Sequence, residues 1–343
     1  MSSPLPPNQE YVRREIIAAA LATRAESTGG YLRWSELAEF PLPDGTMERL
    51  VDPGRGGIWN PRGYAATLTI VTSPDGPYPD REIDGGVLQY SYQKGPEGGK
   101  NLKLRAAMDL GLPVIRLNKI GANAYNPIYP VFVVGDNPIV REFTLTVDEV
   151  LRSVPVGQSL SPVEKAYAAR IVQQRVHQPA FRAQVMLAYG GQCTVCSLKH
   201  PELLDAAHII EDGKPGGDPV VTNGLSLCKI HHAAYDRRLL GISPDYVVHI
   251  NKDLLDEVDG PMLRHGLQEM HGRALVTPAR DAAQVGVGLL ADNDVPGLRD
   301  QPGPVPLGVT VGDDGGLADG AAVPAPPRDR EPRAAVLADP EGV

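Results

Sequence analysis

The sequence of 343 residues predicts a protein of the α+β class. Three observations support this prediction. Short runs rich in β-branched and aromatic residues alternate with Gly and Pro over residues 31–148, whereas residues 161–190 have the apolar spacing of a helix. All three cysteines lie in one short segment beyond that helix, a pattern typical of a small metal-bound domain. We therefore expect a β-rich N-terminal domain, a helical linker and a metal-containing C-terminal domain.

The N-terminal region is expected to begin with a helix and continue as a β-rich domain. Residues 1–30 include an amphipathic helix over 10–25, and residues 31–148 form the β-rich part. The predicted strands are 66–71, 87–92, 113–117, 129–135 and 142–147. A helix over 101–111, which ends at a glycine, interrupts them. Many short strands separated by turn residues favour a barrel or a sandwich.

The rest of the chain divides into three parts. Residues 149–189 are expected to be a linker followed by a helix, in which Ser161 and Glu164 have the spacing of a capping box. Residues 190–284 form the predicted C-terminal domain. Residues 285–343 are rich in Gly, Pro, Ala and Asp without periodicity, and we expect them to be disordered.

Composition and charge are those of an ordinary globular protein. Apolar residues make up 42% and charged residues 22%, and the net charge at pH 7 is −9. Residues 281–343 contain eleven acidic and four basic residues, a net of −7, which leaves −2 for the other 280 residues. A near-neutral body does not exclude nucleic acid as a ligand, because phosphate contacts depend on local charge. With no signal peptide and no apolar run of about 20 residues, we expect a cytoplasmic protein.

The cysteines supply three of the four positions of a regular metal-binding pattern. Cys193 and Cys196 are separated by two residues, as are Cys228 and His231. An odd number of cysteines within such a short segment argues against a disulfide framework. Each of these two pairs is a knuckle that supplies two ligands. Together the four sulfur and nitrogen ligands suit the tetrahedral geometry of structural zinc. We therefore predict that these four residues bind Zn²⁺.

A second set of reactive residues is interleaved with the zinc ligands. His208 lies in DAAHII, Asn223 in TNGLSL, and His232 with Asp236 in HHAAYD. In order and spacing this segment resembles the zinc-containing HNH endonucleases. The resemblance implies a ββα-metal domain in which a hairpin carries the first histidine, a loop carries the asparagine and a helix carries the last metal ligands.

The resemblance also implies the roles of two of these residues. His208 would be the general base that deprotonates water, and a neutral imidazole with a pKa near 6.5 suits this role at physiological pH. Asn223 would tie the loop together and orient the base. Alternatively, His208 is a histidine packed in the core, and Asn223 is an ordinary turn residue before Gly224.

The same helix is expected to hold a catalytic ion. His232 and Asp236 are four residues apart, so they share a helix face and can chelate one ion, while His231 points about 100° away. Many HNH proteins have Asp or His directly before the catalytic histidine, where this chain has Ala207. Asp205 lies two residues before Ala207, on the same face of the predicted strand. It is the predicted third ligand of the catalytic ion. A turn role for Asp205, and pairing of Asp236 with a following arginine, remain open. Mg²⁺ or Mn²⁺ is the expected ion.

Several stretches of the N-terminal region follow one another in a distinctive order. They are Gly57-Ile58, the strand ATLTIV, the segment PYPDREID, the aromatic strand YSYQKG and the later NLKLRAAMDLGLPVIRL. This order resembles that of the SRA, or YDG, domain. The resemblance implies a β-rich barrel of the SRA/PUA type that flips a modified cytosine out of duplex DNA. The base would stack between aromatic rings while an acidic side chain hydrogen-bonds its Watson–Crick edge.

The residues of this modified-base pocket follow from the resemblance. Tyr78 and Tyr92 would stack on the base, and Asp80 would read its edge. A proline follows Tyr78 and an arginine interrupts the acidic run, so other residues remain candidates. They are Glu82 or Asp84 for the acidic side chain and Tyr90 for the second tyrosine. Each of these residues also fits a packed strand or a turn.

Basic and aromatic residues flank the pocket motifs. The candidates for phosphate contacts, with ordinary surface charge as the alternative, are Arg55, Arg62, Lys94, Lys100 and Lys103. Trp34 and Trp59 are expected in the core or in a pocket wall.

Together the two resemblances predict a modification-dependent, type IV-like restriction endonuclease that acts on DNA with 5-methylcytosine or 5-hydroxymethylcytosine. One alternative is an HNH nuclease that recognises a modified backbone, a plain sequence or RNA. The other is a reader of modified DNA that does not cut, which the alanine before His208 favours. A homodimer is compatible with double-strand cleavage, since a nuclease domain with one site needs a partner to cut both strands.

Overall fold

The computed structural model describes residues 4–73, 81–83, 87–93, 99–152 and 161–278. Within these residues the protein is a mixed α+β structure, which confirms the predicted fold class. The tail predicted over 285–343 lies outside the described residues. Of the described helices, none combines the length and the hydrophobicity that a membrane crossing requires.

The described helices and strands follow one another along the whole chain. The helices are α1 (Pro7–Thr28), α2 (Trp34–Ala38), α3 (Asn101–Asp109), α4 (Glu149–Arg152), α5 (Pro162–Val172), α6 (Gln178–Ala188), α7 (Lys229–Asp236), α8 (Lys252–Leu255) and α9 (Pro261–Gly266). The N-terminal strands are β1 (Leu32–Arg33), β2 (Phe40–Pro41), β3 (Met47–Glu48), β4 (Ile58–Trp59), β5 (Thr69–Thr72), β6 (Arg81–Ile83), β7 (Val87–Ser91), β8 (Val114–Gly121), β9 (Ala124–Asn137) and β10 (Glu142–Thr146). The C-terminal strands are β11 (Leu204–His208), β12 (Gly224–Cys228), β13 (Leu240–Ile242) and β14 (Val248–Ile250).

One sheet organises the N-terminal region. Its described strands lie in the order β4-β5-β8-β9-β10-β7-β6, and β1 pairs with β9. Strands β5 and β8 are parallel, and the other neighbours are antiparallel. Strand β9 is 14 residues long and pairs along its length with β8 and then β10, with a register shift in the β10 ladder. This long shared strand lets the sheet curve into a half-barrel.

Alternating side chains place a hydrophobic core on each face of this sheet. On one face, Ile17 of α1 packs in a cluster with Ile115 and Leu117 of β8. On the other face, Leu104 of α3 and Phe143 of β10 belong to a second cluster. Burial of two faces requires helices on both sides, and α1 and α3 supply them.

The helices after the half-barrel join the two halves of the molecule. Val172 of α5 and Val176 belong to the half-barrel core, whereas Phe181 and Val185 of α6 belong to the C-terminal core. The predicted single helix over 161–190 is interrupted by a π-helical turn, Gln173–His177. Pro179 has no amide hydrogen to bond the carbonyl four residues earlier, and the wider turn directly precedes it.

Two local features of the sequence, a capping box and a glycine that ends a helix, are found in the structure as predicted. Ser161 and Glu164 form the capping box, with the Glu164 amide donating to Ser161 Oγ at 3.3 Å and the Ser161 amide donating to Glu164 Oε2 at 2.8 Å. Gly111 follows α3 with φ of 65°, the left-handed region that glycine favours. Of the predicted linker 149–160, residues 149–152 form the short helix α4, and 153–160 lie outside the described residues.

The C-terminal region has the order hairpin, then helix. Strands β11 and β12 pair antiparallel, with His208 opposite Gly224 and Leu204 opposite Cys228. Helix α7 begins directly after β12, and α6 packs against both strands. This is the ββα arrangement that the sequence resemblance implies.

Candidate active site

The predicted zinc ligands converge on one point. Ligand atoms of Cys193, Cys196, Cys228 and His231 all lie within 4.8 Å of one another. His231 Nδ1 is 3.1 Å from Cys228 Sγ and 3.5 Å from Cys193 Sγ. Zinc bonds of about 2.0 to 2.3 Å place ligands of one tetrahedron about 3.5 to 3.8 Å apart. These four residues therefore fit a metal such as zinc.

The local structure explains why the two knuckles meet. Cys228 ends β12 and precedes the first residue of α7, so His231 lies in the first helical turn. The Cys228 amide donates to Cys193 Sγ at 3.3 Å, which ties one knuckle to the other. His231 Nε2 donates to the Gly266 carbonyl at 2.7 Å when Nδ1 faces the metal. The metal site thereby also holds the end of α9 in place.

The thiols and the imidazole of the cluster shift each other's pKa values. Contacts with the Cys196 and Cys228 thiols lower the pKa of Cys193, so one sulfur of the cluster is a thiolate. Burial lowers the pKa of His231, but hydrogen bonds with Cys193 and Cys228 outweigh burial and raise this pKa to about 10. Without a metal, the Cys193 thiolate therefore pairs with a protonated His231, and a bound cation would take the place of the imidazole proton.

His208 ends the first strand of the hairpin. Its imidazole stacks on the Phe181 ring, with centroids 4.1 Å apart and planes at 20°. His208 Nε2 is buried and has no hydrogen-bond partner within the described residues. Burial lowers the pKa of His208, the nearby Asp212 carboxylate raises it, and His232 lowers it further. The net shift is downward, so the imidazole is neutral at pH 7 and has a nitrogen that can accept a proton.

Gly224 makes the stacking of His208 possible. A Cβ atom at this position would approach Val185 Cγ2 to 2.5 Å and two Phe181 ring atoms to 3.0 Å. Only glycine therefore lets α6 approach the hairpin closely enough for Phe181 to support the imidazole. Phe181 was not predicted as a site residue, and its only sequence signal is an aromatic on the helix before the first knuckle.

Asn223 joins three parts of the loop between the two strands. Its Oδ1 accepts from the Ile210 amide at 2.8 Å, and its Nδ2 donates to the carbonyls of Ile210 at 3.0 Å and Asp218 at 3.1 Å. The side chain is 1% exposed. Because Ile210 is two residues after His208, these bonds fix the backbone that carries the imidazole. This geometry is the one expected of a residue that positions the base.

The three predicted ligands of the catalytic ion lie in a row. His232 Nδ1 is 3.4 Å from Asp205 Oδ2, and His232 Nε2 is 3.5 Å from Asp236 Oδ2. The two carboxylates thus face opposite nitrogens of one ring. Among the described residues, only the zinc set has all its ligand atoms within 4.8 Å of one another. One ion on His232 reaches both carboxylates only if a side chain turns, and Asp236, with 62% side-chain exposure, has room to do so.

Asp205 has a further partner. Lys229 Nζ donates to its Oδ1 at 2.5 Å, which is an ion pair at the first residue of α7. Burial raises the pKa of Asp205, but the bonds to Lys229 and His232 outweigh burial and lower it. The carboxylate is therefore ionised at neutral pH, as a ligand for a divalent cation must be.

The modified-base pocket is described only in part. Tyr78, Asp80 and Asp84 lie outside the described residues, and Glu82 is described only as part of β6. Tyr92 is 9% exposed, its ring packs against Phe143 at 4.6 Å, and its hydroxyl bonds Asp136 and Arg105. Burial and the Asp136 bond raise the pKa of Tyr92. Its ring is thus held within the half-barrel core.

Tyr90 lies on the same strand face and is also packed. Its hydroxyl donates to the Gly57 carbonyl at 3.0 Å, and the residue is 5% exposed. A Cβ atom on Gly57 would lie 3.0 Å from this hydroxyl oxygen, so the Gly-Ile turn and the aromatic strand fit closely together. The turn and the strand that the SRA resemblance singled out are therefore in contact.

The residues predicted to contact phosphates differ in the contacts that they make within the protein. Lys100 pairs with Asp52, and Lys103 Nζ donates to the Tyr64 carbonyl at 2.5 Å. The Arg55 guanidinium lies 5.7 Å from the centroid of the Trp34 ring, Arg62 is exposed, and Lys94 lies outside the described residues. Trp34 packs at the edge of a core cluster, and Trp59 Nε1 donates to the Arg49 carbonyl at 2.6 Å.

Comparison with known proteins gives one family match. A family model described as HNH endonuclease matches residues 193–243, which contain the predicted zinc ligands, His208, Asn223, His232 and Asp236. Among curated proteins, none matches the chain.

Several solved structures are similar to the chain, each at low identity. The modification-dependent TagI restriction endonuclease is 17% identical, with 71% of this chain and 87% of that chain covered and a TM-score of 0.24. The SRA domain of SUVH5, in complex with fully methylated CG DNA, is 19% identical, with 33% and 81% covered and a TM-score of 0.22. The type IV phosphorothioation-dependent restriction endonuclease ScoMcrA is 16% identical, with 56% and 53% covered and a TM-score of 0.20. Residues 193–243 thus match the HNH endonuclease family model and have the order of hairpin and helix that the sequence resemblance implies.

Proposed function

We propose that this protein is a modification-dependent DNA endonuclease. The nuclease is assigned to residues 190–284 and the reader of modified cytosine to residues 31–148. The observation that carries the nuclease assignment is the imidazole of His208, in the segment that matches the HNH family model. It is neutral, stacks on Phe181, and its Nε2 has no partner among the described residues. A positioned neutral base is the first requirement of phosphodiester hydrolysis by water.

The described side chains divide the work of hydrolysis. His208 takes a proton from the water that attacks phosphorus in line with the leaving 3′ oxygen, which gives a 5′-phosphate and a 3′-hydroxyl. Asn223 holds the loop that carries His208. His232, with Asp205 and Asp236, is the proposed binding site for Mg²⁺ or Mn²⁺, an ion that stabilises charge on the phosphate and on the leaving oxygen. Zn²⁺ on the two knuckles has a structural role.

The reader assignment rests on the SRA-like motifs and on the half-barrel that contains them. Contact between the Gly57 turn and Tyr90 joins two of these motifs in space. We assign Tyr78 and Asp80 to the pocket for 5-methylcytosine or 5-hydroxymethylcytosine. Tyr92 completes that pocket only if its ring leaves Phe143. A homodimer of the chain supplies the two nuclease sites that a double-strand cut requires.

The packing of Tyr92 also favours a second candidate function. Both its ring and its hydroxyl are engaged within the half-barrel, as expected of a structural residue. If the pocket lacks this stacking partner, the N-terminal region recognises another feature, such as a modified backbone, a plain sequence or RNA. The HNH domain then cuts with a different specificity.

Cleavage of matched plasmids separates these functions. The plasmids are identical in sequence and carry cytosine, 5-methylcytosine or 5-hydroxymethylcytosine, and the zinc-loaded chain is supplied with Mg²⁺ or Mn²⁺. The proposal predicts cutting of modified plasmids only. Equal cutting of all three supports a nuclease of different specificity. Binding of modified DNA without any cutting contradicts the nuclease assignment and leaves a reader.

A further inference from the structure

Lys229 places a positive charge beside the proposed site of the catalytic ion. Its Nζ donates to Asp205 Oδ1 at 2.5 Å, while Asp205 Oδ2 lies 3.4 Å from His232 Nδ1. Among the described residues, the Lys229 side chain has no other hydrogen-bond or ion-pair partner. A carboxylate that is proposed to bind a divalent ion therefore already holds a cation.

The hairpin and the helix bring these side chains together. Asp205 is opposite Leu227 on β12, and α7 begins at Lys229, two residues further along the chain. Lys229 and His232 are three residues apart on α7, so their side chains lie on one face of the helix. Each of them meets one oxygen of the same carboxylate. An ion pair as exposed as that of Lys229 contributes little to the stability of the fold.

Two cations compete for this carboxylate. Ions such as Mg²⁺ bind through carboxylate oxygens, and a positive charge close by weakens that binding by repulsion. The Lys229 side chain is 57% exposed and has a long, flexible stem, so it has room to turn away from Asp205. The Asp205 side chain is 29% exposed and belongs to a paired strand. Lys229 is therefore the partner that moves when an ion binds.

An ammonium released from Asp205 finds a new partner when DNA is bound. The DNA backbone carries a negative charge at each phosphate, and lysine is a point charge that binds phosphate without a fixed geometry. On Asp205 the same ammonium is neutralised and adds little attraction for DNA. A contact between Lys229 and phosphate thus depends on whether the ion occupies Asp205.

We propose that Lys229 holds Asp205 in the metal-free protein, leaves it when the divalent ion binds, and then binds a phosphate of the DNA backbone beside the cut. The inference rests on the proposed function and adds to it a residue that links ion binding to DNA binding. Because such coupling is reciprocal, bound DNA also strengthens binding of the ion. Ion and DNA therefore assemble at the nuclease site together.

Two binding measurements on the zinc-loaded full chain test this role without a cleavage step. Calorimetry measures the affinity for Mn²⁺ in the absence of DNA. Fluorescence anisotropy with a short methylated duplex measures DNA affinity with and without Mn²⁺, and every chain carries His208→Ala to prevent cutting. Lys229→Met removes the charge, and Lys229→Arg keeps it. Lys252→Met, at an exposed lysine that also begins a helix, is the matched control.

The inference predicts that the two affinities change in opposite directions in Lys229→Met. Mn²⁺ binds about three- to fivefold more tightly, because the competing ammonium is gone. With Mn²⁺ present, the duplex binds about three- to fivefold more weakly, because one phosphate contact is lost, and without Mn²⁺ its affinity changes less. Lys229→Arg and Lys252→Met stay close to the His208→Ala chain in both measurements.

A residue with a merely structural role would weaken both affinities together. That result overturns the inference, as does an unchanged Mn²⁺ affinity in Lys229→Met or a loss of DNA affinity that is equal with and without Mn²⁺. A His208→Ala chain that binds no Mn²⁺ or no duplex overturns it as well. If these changes are found but the parent chain cuts no DNA, the proposed function is contradicted and the role of Lys229 stands.

Discussion

The two halves of the molecule bury charged groups in opposite ways. In the half-barrel, the side chains of Glu10 and Arg14 are fully buried and form an ion pair at 2.5 Å. Arg14 also donates to the carbonyls of Thr67 at 2.7 Å and Pro113 at 2.6 Å. In the C-terminal half, two buried thiols, one half-buried thiol and a buried imidazole face each other around a point that fits a cation. One half satisfies its buried charges with an ion pair and its own backbone, whereas the other brings together four side chains that fit a metal.

The two halves are therefore stabilised by different kinds of interaction. The Glu10–Arg14 pair links α1 to segments as far as 99 positions away along the chain, so it contributes once the sheet has formed. The metal cluster joins residues at most 38 positions apart, so it stabilises a compact local unit. We therefore expect the two halves to respond differently to loss of metal and to loss of the ion pair.

Loss of a zinc ligand has the largest expected effect. Cys228→Ser removes a thiolate, and structural zinc supplies on the order of 10 kcal/mol of folding free energy in small domains. We expect the C-terminal domain to lose its fold while the half-barrel keeps its own. Zinc content and thermal denaturation followed by limited proteolysis measure both effects. The control is Lys199→Ala, an exposed position near the same knuckle. Full zinc content and an unchanged melting profile in Cys228→Ser contradict the assignment of this cluster.

Breaking the buried ion pair has the next largest effect and acts on the other half. Arg14→Met leaves the Glu10 carboxylate buried without its cation, which costs about 3 to 5 kcal/mol. Urea denaturation of the zinc-loaded chain measures this loss, and zinc binding stays unchanged. The double variant with Glu10→Gln recovers part of the stability, because the unpaired charge is gone. A loss below about 1 kcal/mol in Arg14→Met shows that the pair is not buried in solution.

Loss of the side-chain amide of Asn223 has a smaller effect on stability but a specific effect on activity. Asn223→Ala removes three part-buried hydrogen bonds to the backbone of Ile210 and Asp218, which costs about 1 to 3 kcal/mol. Cleavage falls further than stability does, since the backbone beside His208 loses its anchor. Asn251→Ala, which removes the cap of α8, is the control with a similar stability loss and full activity. Equal activity losses in the two variants contradict a positioning role for Asn223.

The sequence predicted the metal cluster more completely than the half-barrel for a physical reason. Zinc ligation imposes fixed spacings on neighbouring residues, so Cys193, Cys196, Cys228 and His231 identify one another in the sequence. The Glu10–Arg14 pair leaves no such pattern, because its other partners are backbone carbonyls of distant segments. A buried charge whose partners are backbone groups of distant segments therefore cannot be predicted from the sequence and is found only in the structure.

Strand positions in the half-barrel were predicted better than strand lengths. The sequence predicted a strand over 129–135, whereas β9 extends over Ala124–Asn137. Pro127 and Pro130 lie within this strand, and prolines weaken a strand signal because they cannot donate to the ladder. The order of the strands depends on long-range pairing, which local patterns do not specify.

Within the candidate active site, residue types were predictable and orientations were not. The HNH spacing indicated His208, Asn223, His232 and Asp236. That His232 faces carboxylates with both of its nitrogens depends on where the hairpin places Asp205 beside α7. Support of His208 by Phe181 depends on the approach of α6 at Gly224. Both contacts arise from packing between elements.

Cleavage by His208→Ala tests the central claim most directly. The variant is compared with the parent chain and with His265→Ala, at an exposed histidine of α9, in single-turnover assays on methylated plasmid with Mg²⁺ or Mn²⁺. Zinc content and DNA affinity are measured for each protein. The account predicts a loss of about 10²- to 10⁴-fold in cleavage rate for His208→Ala alone, with zinc and DNA binding retained. A cleavage rate for His208→Ala equal to that of the parent chain contradicts the assignment of His208 as the general base.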